Sequence, residues 1–151
     1  MKKMEIKGTS LATEKSLNPR EVVEQFFAAF NTGNLNNVEK LIAKDVIYNL
    51  PPGGDTLRGS EVFMQFLADS RQGFPDKVWT LEDSVVEGEK IAFWATARGT
   101  HKADFMGVPP TGKSISVTFF VVWRIKDSQI AEGWALWDIF MMLQQLGVME
   151  N

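Results

Sequence analysis

Cysteine is absent from the 151-residue chain, and with it any disulfide framework, thiolate zinc site or thiol nucleophile. Histidine occurs once, at His101, which excludes a multi-histidine metal centre. The sequence predicts neither a metal nor a cofactor. Lysine and arginine are nowhere concentrated, and the net charge is −3. A nucleic-acid surface needs a positive footprint to displace counterions, so no nucleic-acid partner is expected. No window approaches the roughly 20 apolar residues that span a bilayer. Met1 to Ser10 carries lysines with no apolar run behind them, unlike a signal peptide. Together these absences predict a cytoplasmic protein without a membrane partner. What is present, 44% hydrophobic and 23% charged residues, suits one globular domain. A chain of this length buries roughly 70% of the surface it exposes unfolded.

Residues 1–16 are polar and aperiodic and read as a tail; residues 17–151 read as one domain. A helix starts with complete signals: Asn18 to cap, Pro19 at the first helical position and Glu21 for a capping box. Val22, Val23, Phe26, Phe27 and Phe30 mark its apolar face, and Gly33 ends it. A second, short helix is expected with Val38, Leu41 and Ile42 on its buried side. Asp45 to Leu50 reads as a strand, closed by a loop from Pro51 to Gly54. Ser60 is placed to cap a third helix, with Val62, Phe63, Phe66 and Leu67 inward and Gly73 as its stop. Four long strands follow, Lys77 to Val86, Lys90 to His101, Ser114 to Lys126 and Gln129 to Trp137, and then a short helix from Ile139 to Leu146. Helices followed by adjacent strands joined by short turns predict an α+β fold with a mainly antiparallel sheet. Strands of this length bend. A curved sheet with three N-terminal helices packed over its concave face makes a cone with a pocket.

Gly107 to Ser114 matches the phosphate-binding loop pattern letter for letter. The physics argues against it. A phosphate cradle uses successive backbone N–H groups, and Pro109 and Pro110 have none. The pattern also needs a helix after its Lys-Ser pair, whereas Ser114 opens a β-branched, aromatic stretch.

Few residues could carry chemistry. His101 stands at a strand end beside a long loop, either hydrogen-bonded to loop backbone or serving as a pocket acid or base. Tyr48, the single tyrosine, is a core residue or a pocket donor. Asp138 follows Trp137 and could act as a base with a raised pKa among tryptophans, or cap the helix that starts at Ile139. Trp79, Trp94, Trp123, Trp134 and Trp137 all fall on expected strands and suit a cavity with large flat walls.

Phe30-Asn-Thr-Gly33, Gly99-Thr-His101, Met106 to Gly112, Trp123 to Asp127, Glu132 to Asp138 and Leu143 to Gly147 occur in order over Pro19 to Gly147. In these the chain resembles the SnoaL-like polyketide cyclases of the nuclear transport factor 2-like superfamily. The resemblance implies a cystatin-like α+β barrel around a deep apolar pocket, and ring closure by aldol condensation without metal or cofactor. It also implies a catalytic aspartate, whose position here is Ala135. Gly133 and Val121 stand where such cyclases carry histidines, and the pocket asparagine falls on Tyr48 or the adjacent Asn49. By strand alternation Gly133, Ala135 and Trp137 share one face and Asp138 the other.

Two readings follow. One is a cofactor-independent cyclase, isomerase or hydrolase whose acid or base has moved to Asp138, His101 or Tyr48. The other is a protein that binds a small apolar molecule without turning it over. The resemblance further implies a homodimer formed through the outer face of the sheet.

Overall fold

The computed structural model describes residues 16–50 and 54–149; nearly all of the expected tail, and the start of the loop after Leu50, lie outside them. Helix α1, Pro19–Asn31, forms where its signals place it: Asn18 and Glu21 close a full capping box, and Val22, Val23, Phe26, Phe27 and Phe30 are buried. Helix α2, Leu35–Glu39, is shorter than its apolar spacing suggests. Leu41 and Ile42 lie outside it, and Ile42 opens strand β1, Ile42–Asn49, ahead of the expected start at Asp45. The reason is pairing: Ile42 stands opposite Ile130, whose N–H donates to the Leu41 carbonyl at 2.8 Å. Strand β2, Thr56–Arg58, was not foreseen; it pairs antiparallel with the end of β1.

Helix α3, Ser60–Gly73, is capped by Gly59 and not by Ser60, with no side-chain cap bond. Gly59 sits at φ +92°, a conformation that favours glycine, and its N–H donates to the Val46 carbonyl at 2.8 Å. Phe63, Leu67 and Ser70 hold the buried stripe at i, i+4 and i+7. Val62 is one step off that stripe and is 48% exposed, against the expectation that it points inward.

Strands β3 (Val78–Glu87), β4 (Lys90–Thr100), β5 (Ser114–Lys126) and β6 (Gln129–Trp137) form an antiparallel meander. The sheet order is β2-β1-β6-β5-β4-β3, and β1 runs parallel to β6. The result is a curved, open, mixed sheet. Its inner face packs on α1 and α3 around Phe26, Phe63, Phe93 and Trp123. Helix α4, Ile139–Leu146, joins a second, smaller apolar cluster of Phe74, Ile115, Val117, Met142 and Leu146. The segment from Lys102 to Lys113 returns to the end of α3, where the N–H groups of Lys102 and Ala103 donate to the Gly73 carbonyl at 2.9 and 3.3 Å. From Gly112 the chain runs directly into β5, so no helix N-terminus follows the phosphate-loop-like stretch. Among the described residues no helix is long and apolar enough to cross a membrane.

Candidate functional site

A cavity of about 100 Å3 lies between the inner face of the sheet and helices α1 and α3. Its walls are largely aromatic, with Phe26, Phe63, Trp79, Phe93, Trp123 and Trp137 among them. Strand alternation sends Trp79, Trp123 and Trp137 to this inner side. Trp94 and Trp134 go to the outer face, where they are part exposed. Apart from the indoles, the polar side chains among the described lining residues are Tyr48, Ser70 and Lys77.

Tyr48 is buried, stacked on Phe63 with ring centroids 4.1 Å apart, and its hydroxyl accepts the indole N–H of Trp123 at 3.0 Å. Burial pushes its pKa up, so it remains a phenol throughout the ordinary pH range. The ring lies directly over Gly133. A Cβ at Gly133 would meet Tyr48 Cε2 at 2.4 Å and Cδ2 at 2.6 Å. Val121 and Ala135 face each other across β5 and β6, and both line the cavity, as does Trp137. Ala135, where the resemblance implies an aspartate, is therefore on the cavity wall and presents a methyl group.

The other candidates sit elsewhere. Asn49 turns away from the cavity, its Nδ2 donating to the Gly133 carbonyl at 3.0 Å. Asp138 is exposed and caps α4, accepting the Met141 N–H at 3.0 Å. It lies outside the cavity lining. His101 is fully buried but does not line the cavity. Its Nδ1 accepts the Thr111 N–H at 3.2 Å and lies 3.1 Å from the Thr111 hydroxyl. The ring stacks on Phe74 at 5.1 Å, and Nε2 has no partner among the described residues. Accepting at Nδ1 puts the proton of the neutral ring on Nε2.

Sequence reasoning passed over Lys77 and Ser70. Lys77 is 7% exposed, and its Nζ donates to the Ser70 hydroxyl. The ammonium lies 4.9 Å from the centroid of Phe74 and 5.5 Å from that of Phe105. Burial, and secondarily the charge of Arg71, pull its pKa down to about 8. Arg71 braces the turn that presents it, with Nη1 donating to the Phe30 carbonyl at 2.7 Å and Nη2 to that of Pro75 at 3.3 Å. Asp76 faces away, accepting the N–H and the hydroxyl of Thr100. Two signals could have revealed the pair. Lys77 is two residues before inward-facing Trp79, and Ser70 is seven after Phe63 on the buried stripe of α3.

A family model for SnoaL-like polyketide cyclases matches residues 20–146. Among solved structures, a candidate polyketide cyclase, IdmH from Streptomyces antibioticus, is 35% identical with a TM-score of 0.76, covering 87% of this chain and 100% of its own. A candidate SnoaL-like polyketide cyclase from Jannaschia sp. CCS1 is 20% identical with a TM-score of 0.79, covering 89% and 99%. AclR from Streptomyces galilaeus, a candidate hydroxylase, is 23% identical with a TM-score of 0.78, covering 87% and 86%. At these last two identities the likeness is one of fold. No curated protein matches the chain.

Proposed function

Because the chain belongs to the SnoaL-like polyketide cyclase family, we propose that its cavity holds a small apolar molecule bearing a carbonyl group and performs cofactor-free acid–base chemistry on it. The observation that supports this most is the Tyr48 hydroxyl. It receives the Trp123 N–H, and no acceptor for its own proton stands among the described residues. A carbonyl oxygen of the ligand takes that proton as a hydrogen bond. In an apolar surround, such a bond stabilises the enolate formed when the neighbouring carbon loses a proton. The cavity, at about 100 Å3, suits a ligand of one small ring.

A second reading, binding without turnover, is favoured by Ala135 at the family's aspartate position and by the outward, capping carboxylate of Asp138. Cyclohexanone in deuterated buffer separates the two. The catalytic reading expects α-proton exchange well above the buffer rate, and Tyr48→Phe is expected to slow it roughly 100-fold without unfolding the protein. Exchange at the buffer rate, with saturable quenching of tryptophan fluorescence, establishes the binding reading instead.

The partner we propose is a second copy of the chain. The outer face of the sheet presents Val85, Trp94, Phe120, Trp134 and Leu136, with Phe120 56% and Leu136 52% exposed. Trp94 and Phe120 stack at 6.0 Å, giving a flat apolar surface that a two-fold axis would set against itself. Sedimentation is expected to show a dimer at micromolar concentration, with Phe120→Glu monomeric. A monomeric wild type overturns the proposal.

A further inference from the structure

We propose that Lys77 is an imine-forming nucleophile, condensing reversibly with the carbonyl carbon of a small apolar aldehyde or ketone held in the cavity. The inference rests on the carbonyl-ligand reading of that cavity and adds the group that reacts.

The placement of the amine carries it. Lys77 is a lining residue of an otherwise apolar, aromatic cavity, and no carboxylate pairs with it among the described residues. Among the described residues its hydrogen bond is to the Ser70 hydroxyl, which can pass protons but cannot neutralise a charge. Phe74 and Phe105 flank the nitrogen and keep it from water, while Arg71 adds like charge nearby. A lysine so placed is far more often the free amine than a solvated one, and the free amine is the nucleophile. His101 is stacked on Phe74 and hydrogen-bonded to Thr111, and Asp76 is engaged by Thr100.

The step balances without an added reagent. The Nζ lone pair attacks the carbonyl carbon, forming a C–N bond as the C=O π bond breaks, and the oxygen takes one of the nitrogen's two protons to give a carbinolamine. Ser70 relays the second proton to that hydroxyl, the C–O bond breaks, water departs, and a C=N bond remains. Protonated, this iminium draws electrons from the adjacent carbon and makes its proton acidic. The cavity then has an electron sink even though Ala135 offers no carboxylate.

An acyl-transfer role for Ser70, with Lys77 as base, fits less well. Ser70 is inside α3, where backbone N–H groups are committed to helical hydrogen bonds, so an oxyanion on its substrate lacks donors.

The test uses the full chain, benzaldehyde as probe and sodium cyanoborohydride as the trap. Peptide mapping by mass spectrometry after brief exposure at pH 7.5 is expected to find the benzyl adduct on Lys77 at least roughly tenfold above any other lysine. Benzyl alcohol, which fills the cavity but cannot condense, is expected to suppress it, and Lys77→Arg to abolish it. An adduct spread evenly over the lysines, or missing from Lys77, overturns the inference. Tryptophan quenching by benzyl alcohol then assigns the failure: quenching retained leaves the carbonyl-ligand reading standing, and quenching lost removes that reading too.

Discussion

Gly133→Ala is expected to cost about 3 kcal/mol of folding stability, a large effect for a single methyl group. The glycine is not needed for backbone conformation, since its φ is not in the left-handed region. It is needed for space. The new Cβ would lie 2.4 Å from Tyr48 Cε2 and 3.0 Å from Trp123 Cδ1. Tyr48 cannot retreat, because Phe63 stacks on it and its hydroxyl is tied to Trp123. Stiffening the unfolded chain returns only roughly 0.4–1 kcal/mol. Urea unfolding of Gly133→Ala, Tyr48→Leu and the double variant forms the check. In the Tyr48→Leu background the alanine is expected to cost little, giving a coupling of about 2 kcal/mol. An alanine penalty that persists there places the clash elsewhere.

Lys77 is expected to make the protein more stable as the solution becomes alkaline. Its folded pKa is lowered to about 8 from an ordinary value of 10.5. Between these values the unfolded chain binds the proton that the folded chain has released, so stability rises with pH. The whole rise amounts to about 3 kcal/mol. Arg71 stays charged across this window, and Asp76, held low chiefly by the Thr100 N–H, stays ionised. Tyr48 acts in the opposite sense above about pH 10, because its pKa is raised by burial and its stabilising effect is then lost. Lys77→Met retains that tyrosine and serves as the reference. Denaturation midpoints at pH 7.5 to 10 are expected to rise for wild type relative to Lys77→Met. Parallel profiles would mean that the amine is solvated.

The parts of the fold that could be read from the sequence are those whose signals are local. The capping box at Asn18, the alternation along β4 and β5, and the Gly147 stop each act within a few residues. The misreadings came from distant partners. Ile42 looks helical until Ile130 is beside it, and Ser60 looks like a cap until Gly59 is held by Val46. At the site, resemblance singled out Tyr48, Val121 and Ala135, which line the cavity, as does Trp137, reached by strand alternation. It could not locate Lys77, because none of the motifs that carry the resemblance includes that residue. Local propensity places lysine at the surface; only the turn braced by Arg71 and the loop carrying Phe105 put it inside.

The parallel pairing of β1 with β6 has a consequence for synthesis. Each strand from β4 to β6 can pair with the one just made, but β1 must wait for Gln129–Trp137, which is made only after β2, β3, β4 and β5. At roughly 5–20 residues per second, that wait is on the order of ten seconds. Throughout it, β1, whose Val46 and Tyr48 are buried in the finished fold, has only the three-residue β2 beside it. Helix α1 is covered sooner, because Phe26, Phe27 and Phe30 pack on Trp79 of β3. The nascent chain is thus a ready client for chaperones that hold exposed apolar strands. A truncation within β6 therefore removes the partner on which β1 depends, and yields an aggregating fragment in place of a smaller folded one.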